Sequence, residues 1–418
     1  MTPAMMEGQV APHGLEALER ATVDPLHRFP AGFVGGTASA AIKKPGRQDM
    51  ALIACPDGAS AAAMFTKNLV SAAPLDISKR HLAMSRGHAS AVLINSGCAN
   101  AATGAEGLSR ALECVDAVAR ELDVVTESIL VNSTGVIGVQ LPTDRMLAQM
   151  PSLVASLAPG RLLPVAQAIM TTDTYPKTAA IEVEHEGRRC LVCGMAKGAG
   201  MIHPDLSPTQ ATMISMLMTD ADIEPPVLAR LLQRSVDASF HRISIDGDTS
   251  TNDSVFALAS GKAGAFPESK MAQAFRTVAK ELALLIVRDG EGFERGIEVR
   301  VTGAKTTADA LTVARTIAMS LLVRCAVTGG DPNWGRILAA AGRAGVHLRV
   351  EDLHLSVGGV DLFADGAPAP TPLAERERVF REPLVSIHLD LGQGSASDEF
   401  FSCGLTESYV RLNADYTT

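Results

Sequence analysis

The stretch ASAVLINSGCANAATGAEGLSRALECVDAVARELDV, residues 89–124, decides the fold class. Its first part, ASAVLINSG (89–97), is a short apolar run closed by Asn, Ser and Gly, the punctuation of a strand. Its last part (105–124) places Leu108, Ala111, Leu112, Val115, Val118, Ala119 and Leu122 at helical spacing, which predicts an amphipathic helix packed on a sheet. Upstream, MALIACPDG (50–58) and AAAMFTKN (61–68) read as two further strands. Downstream, ESILVNSTGVIG (127–138) reads as a strand ending in a Gly-rich turn. GRLLPVAQAIM (160–170) reads as helical after Pro164, and TAAIEVEHEGRRCLVCGM (178–195) as a hairpin turning at Glu186-Gly187. Residues 270–288 and 307–324 read as amphipathic helices, whereas GIEVRVTGA (296–304), LRVEDLHLSVGGVDLFADG (348–366) and VSIHLDLGQG (385–394) alternate like strands. Strands and helices mix without a regular βαβ rhythm. The expectation is therefore an α+β protein, a layered α/β/β/α-type sandwich with a second α/β region, rather than a doubly wound parallel sheet. Residues 1–30 read as a poorly ordered lead-in.

The totals exclude several function classes. A chain of 418 residues is long enough for two or three domain-sized units. Hydrophobic residues at 47% and charged residues at 20% are ordinary globular usage, which argues against disorder outside the ends. The 37 basic and 46 acidic residues are well mixed, and aromatics are 4%, so neither phosphate-backbone binding nor base stacking is expected, and no nucleic-acid partner. Seven scattered cysteines read as reduced thiols. Cys190 and Cys193 form one C-x-x-C with no second pair at ligand spacing, so no metal site is expected. The first twenty residues carry early acids and lack an apolar signal region, and no run approaches the roughly 20 apolar residues of a membrane span. The expectation is a cytoplasmic protein with no membrane partner.

Several short motifs carry chemistry. STGVIG (133–138) follows a strand, and successive backbone N–H groups around Thr134 and Gly135 can form a donor nest for an oxyanion; a plain Gly turn explains it as well. MTTDTYPK (170–177) is either a solvated loop or part of a polar pocket. RISIDGDTSTNDS (242–254) has the oxygen density of a calcium loop but lacks its terminal Glu, so a turn network is the simpler reading. VRDGEG (287–292) ends a helix with Gly290 at the C-cap and leaves Glu291 on the loop. Trp334, in TGGDPNWGR (328–336), serves packing or a site. KGAGMIHPDLSPTQATMISMLMTDAD (197–222) starts as a glycine-rich loop, passes Ala211-Thr212, and ends as a buried apolar element.

Taken together, NSGCANAATG (95–104), STGVIG, MTTDTYPK, GMAKGAGMIHP (194–204), ATM (211–213), TDAD (219–222), DGDTSTND (246–253), RDGEG (288–292), GGDPNWGRI (329–337) and YVRLNADYTT (409–418) run in one order over nearly the whole chain after about residue 30. In this the chain resembles the arginine-biosynthesis glutamate N-acetyltransferases, also called ornithine acetyltransferases. The resemblance implies self-cleavage between Ala211 and Thr212, which divides the protein into an α chain (31–211, after the 1–30 lead-in) and a β chain (212–418), assembled as a dimer of heterodimers. It implies Thr212 as the catalytic nucleophile and Thr134 and Gly135 as the oxyanion hole. It implies Thr171, Lys197, Thr212, Glu291, Asn413 and Thr418 as substrate-binding residues, with amino acids as the substrates. Chemically, a threonine hydroxyl needs an adjacent base, and a free α-amine with a reference pKa of about 7.7–8.0 can serve. No His-Asp pair or serine-hydrolase elbow is then needed. His203 belongs to the loop. A pocket for ornithine and glutamate needs a cation for the carboxylate and an acid for the amine; Lys197 and Glu291 suit.

Three alternatives stand beside the acetyl-ornithine to glutamate transferase. A bifunctional enzyme would also take acetyl-CoA as a second acetyl donor, no other cofactor being expected. An amidase or aminopeptidase would use the same N-terminal threonine, and an unprocessed paralogue would only bind an amino acid. Two departures from the family pattern are DLSPTQ (205–210), which adds residues beside the scissile bond, and Cys98. The tail YVRLNADY alternates like a strand, which would tie it down.

Overall fold

The computed structural model describes residues 26–160, 162–207 and 213–415. In chain order β1 (Val34–Ala38) pairs antiparallel with β2 (Met50–Thr66). β2 merges the two upstream runs into one 17-residue strand, bent by a register shift between Ala54 and Ala59. Helix α1 (Ala73–Met84) and β3 (His88–Cys98) follow. The expected amphipathic helix is α2 (Gly104–Leu122), which buries Ala111, Cys114, Val115, Val118 and Ala119 and stops at the left-handed Asp123. β4 (Ile129–Val136) returns parallel to β3.

Next come α3 (Thr143–Leu147), α4 (Met150–Ala155) and α5 (Leu162–Ala168), which begins before Pro164 rather than after it. A proline in the first turn loses no helical hydrogen bond, so the helix tolerates it. β5 (Lys177–His185) and β6 (Arg188–Lys197) form the expected hairpin. Its two turn residues, Glu186 and Gly187, both take positive φ (50° and 74°), the twist that suits a two-residue reversal. β7 (Leu206–Ser207) adds to the end of β2, and β8 (Ile214–Asp222), α6 (Pro225–Asp237), β9 (Ser254–Ala265) and α7 (Glu268–Arg288) complete this region.

The strand order of this nine-stranded sheet is β4-β3-β2-β9-β8-β6-β5, with β1 and β7 added on β2. Strands from after residue 212 (β8, β9) therefore lie between strands from before it (β2, β6). Period-2 alternation sends Leu52, Leu93 and Val131 to one face against Val115 and Val118 of α2. It sends Ile53, Val92, Ile94 and Leu130 to the other, in one cluster with Val165 of α5, Met216 and Phe256. Each such fully buried side chain contributes about 1.5–3 kcal/mol. On β6 and β8, Gly194 lies against Leu282 of α7 and Leu217.

The second region is also α/β. It contains β10 (Gly296–Ala304), α8 (Thr307–Ala318), α9 (Leu321–Gly329), α10 (Trp334–Gly342), β11 (His354–Val357), β12 (Val360–Ala364), β13 (Ala367–Pro368), α11 (Leu373–Phe380), β14 (Leu384–Asp390), β15 (Ala396–Cys403) and α12 (Glu407–Asp415). Its six-stranded sheet runs β13-β12-β11-β14-β10-β15. Val299, Val301, Ile387 and Leu389 share a core with Val313 and Ile317 of α8. Among the described residues the compact units are 26–241 with 248–286, and 242–247 with 287 onward, so the mixed α+β architecture with a second α/β region is as expected. No single helix among the described residues is long and apolar enough to cross a membrane.

Three local expectations are corrected, and one alternative left open, that of Trp334, is decided. Residues 307–324 are two helices, because Ser320 takes an extended conformation between α8 and α9. Gly290 is not a left-handed cap; the positive φ falls on Gly292 (71°). Trp334 opens α10 and packs on Phe363 with ring centroids 5.8 Å apart. The tail is helical, not extended. Thr406 accepts from Tyr409 N at 3.1 Å and so caps α12, and a local cap outweighs weak alternation in a segment that buries none of its helical residues.

Candidate functional site

The site in the nine-stranded unit starts at the end of β4. Gly135 has φ 134°, and a Cβ there would lie 2.3 Å from the Gly97 carbonyl carbon, so only glycine allows β3 and β4 to end this close together. The preceding residues are held by side-chain amides. Ser133 Oγ donates to Asn95 Oδ1 at 2.6 Å, and Asn252 Nδ2 donates to Ser133 O at 2.8 Å. Asn132 Nδ2 donates to Asn252 O at 3.0 Å. The DGDTSTND segment is thus a turn network with a second effect: Asn252 fixes the backbone that carries Thr134.

At the end of β6, Lys197 Nζ donates to Thr134 Oγ1 at 3.3 Å. Both residues are nearly closed to solvent, at 7% and 9% exposure, so a lysine ammonium and a threonine hydroxyl meet in a place where charge is weakly screened. The 170–177 loop joins them through Asp173. That carboxylate accepts from Thr171 N at 2.9 Å, from Gly198 N at 2.7 Å and from Lys177 Nζ at 2.6 Å. The segment is not a solvated loop, since Asp173, Tyr175 and Lys177 are buried. Burial alone would push the Asp173 carboxyl up. The Lys177 and Lys197 ammonium groups and the Gly198 amide outweigh burial and hold it well below the usual carboxylate range. Arg47 donates to the Met170 and Thr171 carbonyls.

β8 starts at Ile214, which pairs with Lys197 on β6 and Ser254 on β9. Met213 before it has φ 114°, a left-handed conformation that costs a non-glycine residue of order 1–3 kcal/mol. Ala211 and Thr212 lie outside the described residues, as does Thr418. Of the added segment, Asp205 forms an ion pair with Lys67 and β7 pairs with Phe65 and Thr66; residues 208–210 lie outside the described residues.

In the second unit, Asn413 Nδ2 on α12 donates to Glu291 at 2.8 Å and to Tyr409 O at 3.1 Å. Thr406, which caps α12, also donates to Gly292 O at 2.8 Å, so one hydroxyl ties the helix to the Glu291 loop. The structure thus brings Thr134 and Lys197 together, ties Thr171 to Lys197 through Asp173, and brings Glu291 to Asn413. Asp173, Lys177 and Asn252 sit inside motifs singled out from the sequence without being named there, and Asn132 immediately precedes STGVIG. Cys190 and Cys193 both lie in β6, with burial pushing the Cys190 thiol up to about 12. Cys98 is buried, and its thiol donates to Val139 O at 3.3 Å.

The fold is a mixed α+β one, and a buried lysine ammonium and threonine hydroxyl beside a glycine-kinked strand end form an arrangement that can stabilise negative charge. A family model described as the ArgJ family matches residues 35–418. The chain is 43% identical over 390 residues to the arginine biosynthesis bifunctional protein ArgJ of Parasynechococcus marenigrum, covering 93% of this chain and 94% of that protein. It is 42% identical over 395 residues to the protein of the same name from Nitratidesulfovibrio vulgaris, covering 93% and 98%. Among solved structures, the bifunctional ArgJ of Bacillus halodurans is similar at 37% identity over 49% of this chain and 100% of that one, with a TM-score of 0.47. An ornithine acetyltransferase of Mycobacterium tuberculosis complexed with ornithine is 40% identical over 43% of this chain and 94% of that one, with a TM-score of 0.40. The chain belongs to the ArgJ family of arginine-biosynthesis enzymes.

Proposed function

We propose that this enzyme moves acetyl from N2-acetyl-L-ornithine to L-glutamate through an acetyl-threonine intermediate, after cutting itself between Ala211 and Thr212. The observation that carries the reading is the buried Lys197–Thr134 pair at 3.3 Å, at the end of the strand that pairs with the first residues of β8. Family membership supplies the reaction class.

The steps balance as follows. The Thr212 hydroxyl attacks the Ala211 carbonyl, the peptide C–N bond breaks, and the amine takes the hydroxyl proton, leaving an ester that water hydrolyses. The freed α-amine of Thr212 then accepts the hydroxyl proton as Oγ attacks the acetyl carbonyl of acetyl-ornithine. Thr134 and Gly135 hold the oxyanion, and the ammonium returns its proton to the departing ornithine nitrogen. The glutamate amine attacks the acetyl ester in turn, passing a proton to the α-amine and restoring the hydroxyl. Lys197 serves the substrate carboxylate and Glu291 the side-chain ammonium; Thr171, Asn413 and Thr418 add hydrogen bonds. Because the base must be neutral, the transfer rate falls as pH drops below about 7.7–8.0, the ordinary range of an α-amine.

The two products of cleavage stay associated. β8 and β9 of the second chain lie hydrogen-bonded between β2 and β6 of the first, and a dimer of such heterodimers is the expected assembly. On a denaturing gel the purified protein gives two chains, 1–211 and 212–418, that co-elute without denaturant. The processed protein mixed with acetyl-ornithine and glutamate gives acetyl-glutamate and ornithine. Hydrolysis without transfer, or a single uncut chain that only binds, sinks the proposal. Replacing acetyl-ornithine by acetyl-CoA separates the bifunctional form from the monofunctional one.

A further inference from the structure

One carboxylate joins two segments of the proposed site. Asp173 Oδ1 accepts from Lys177 Nζ at 2.6 Å and Gly198 N at 2.7 Å, and Oδ2 accepts from Thr171 N at 2.9 Å. The Asp173 and Lys177 side chains are both 0% exposed. A fully buried ion pair is weak evidence for stability, because desolvating both charges offsets most of their attraction. Such a pair is better explained by the geometry it enforces.

The pair is rooted in the core. Lys177 lies 5.0 Å from the Tyr175 ring centroid, and Tyr175 donates its hydroxyl proton to Leu285 O of α7 at 3.0 Å. Lys177 also begins β5, paired with Ala196, the neighbour of Lys197. The chain thus anchors Lys177 on a strand and a helix, Lys177 anchors Asp173, and Asp173 anchors the amides of Thr171 and Gly198. Lys197, the last residue of β6 and the neighbour of Gly198, is the other ammonium that attracts Asp173.

We propose that Asp173 and Lys177 form a buried strut that positions the acyl-transfer site, fixing Thr171 on one loop against Lys197 and Gly198 on the other. Both are positioning residues: they act through Thr171 and Lys197 and do not touch substrate. The inference rests on the proposed function for its catalytic consequence, not for its geometry. Removing the Lys177 charge leaves Asp173 pulling on Lys197, which draws its ammonium off the Thr134 hydroxyl. Neutralising both members removes that pull but leaves an amide with one acceptor oxygen where a carboxylate offered two, so Thr171 and Gly198 are no longer both held.

The test compares the full-length wild type, Asp173→Asn, Lys177→Met and the double variant. Steady-state kinetics with acetyl-ornithine and glutamate are read beside hydrogen exchange at the Thr171 and Gly198 amides. The double variant removes both charges of the pair and is the one expected to fold. Its kcat falls about 10- to 100-fold, the scale of an ångström-sized misplacement, while KM for acetyl-ornithine moves much less. Lys177→Met, where folded, falls further than the double variant. Exchange speeds up at one or both of these amides in Asp173→Asn and in the double variant. A merely structural role lowers Tm but leaves kcat of the folded enzyme at the wild-type value, and that result overturns the strut. So does unchanged exchange at both amides. If the wild type itself transfers no acetyl group, the proposed function fails, and the exchange data alone decide the strut.

Discussion

The two sets of proposed site residues, one half in each unit, are held in opposite ways. In the nine-stranded unit, Thr134 and Lys197 are closed to solvent and surrounded by buried Asn132, Asn252, Asp173 and Lys177. In the other unit, Asn413 is exposed on a helix that buries none of its residues; Thr406 caps that helix and ties it to Gly292, and Asn413 donates to Glu291. A buried polar group must be partnered or it destabilises the fold, so the first half is over-determined. The second half sits in water, where the same kind of contact adds little to stability. On the proposed function, changes in the first half are therefore expected to damage folding and chemistry together, and changes in the second to affect substrate binding alone.

That contrast can be broken at graded depth. The largest effect belongs to Thr212→Ala, which removes the proposed nucleophile: a denaturing gel shows one full-length chain and the assay no acetyl transfer. Splitting at Ala211 in that variant would falsify the nucleophile assignment. Asp173→Asn or Lys177→Met alone breaks the buried ion pair and costs about 3–5 kcal/mol in denaturant unfolding; a loss below about 1 kcal/mol contradicts the over-determined half.

Gly135→Ala comes next. The left-handed φ and the Gly97 backbone 2.3 Å from the new Cβ force the strand ends apart. The expected cost is of order 1–3 kcal/mol with slower self-cleavage, read from unfolding and from a gel time course. A variant as stable and as fast as wild type removes the kinked strand end from the mechanism.

Asn413→Ala is the smallest change for the fold. Stability shifts by less than about 1 kcal/mol and cleavage proceeds. KM for acetyl-ornithine or glutamate rises roughly 10- to 150-fold, the equivalent of a charge-assisted hydrogen bond of about 1.5–3 kcal/mol. Unchanged KM for both substrates takes α12 out of the site.

Reading the motifs from sequence located the neighbourhoods better than the contacts within them. MTTDTYPK was singled out, but Thr171 drew the attention, and Asp173 is the residue that holds the loop to Gly198. DGDTSTND read as a turn network, and only the fold shows that Asn252 reaches 119 residues back to Ser133. The tail was misread because alternation in YVRLNADY is a weak signal over so short a segment, while the Thr406 cap lies just before it. Residues 307–324 show the reverse: the helical period continues across Ser320, but the backbone does not.

What the sequence by itself determined was local: the hairpin at Glu186-Gly187, the amphipathic face of α2, the strand before STGVIG, and an ordered set of motifs that fixes the family. These depend on residues within a few positions of each other, where propensity and periodicity act. The tertiary structure decided the rest. It alone placed β8 and β9 between β2 and β6, chose Thr134 as the hydroxyl that meets Lys197 from 63 residues away, and gave Asp173 its two amides and its buried lysine. Those outcomes follow from burial, because a charge or amide withdrawn from water must find its partner wherever the fold brings one, and sequence spacing does not record where that is.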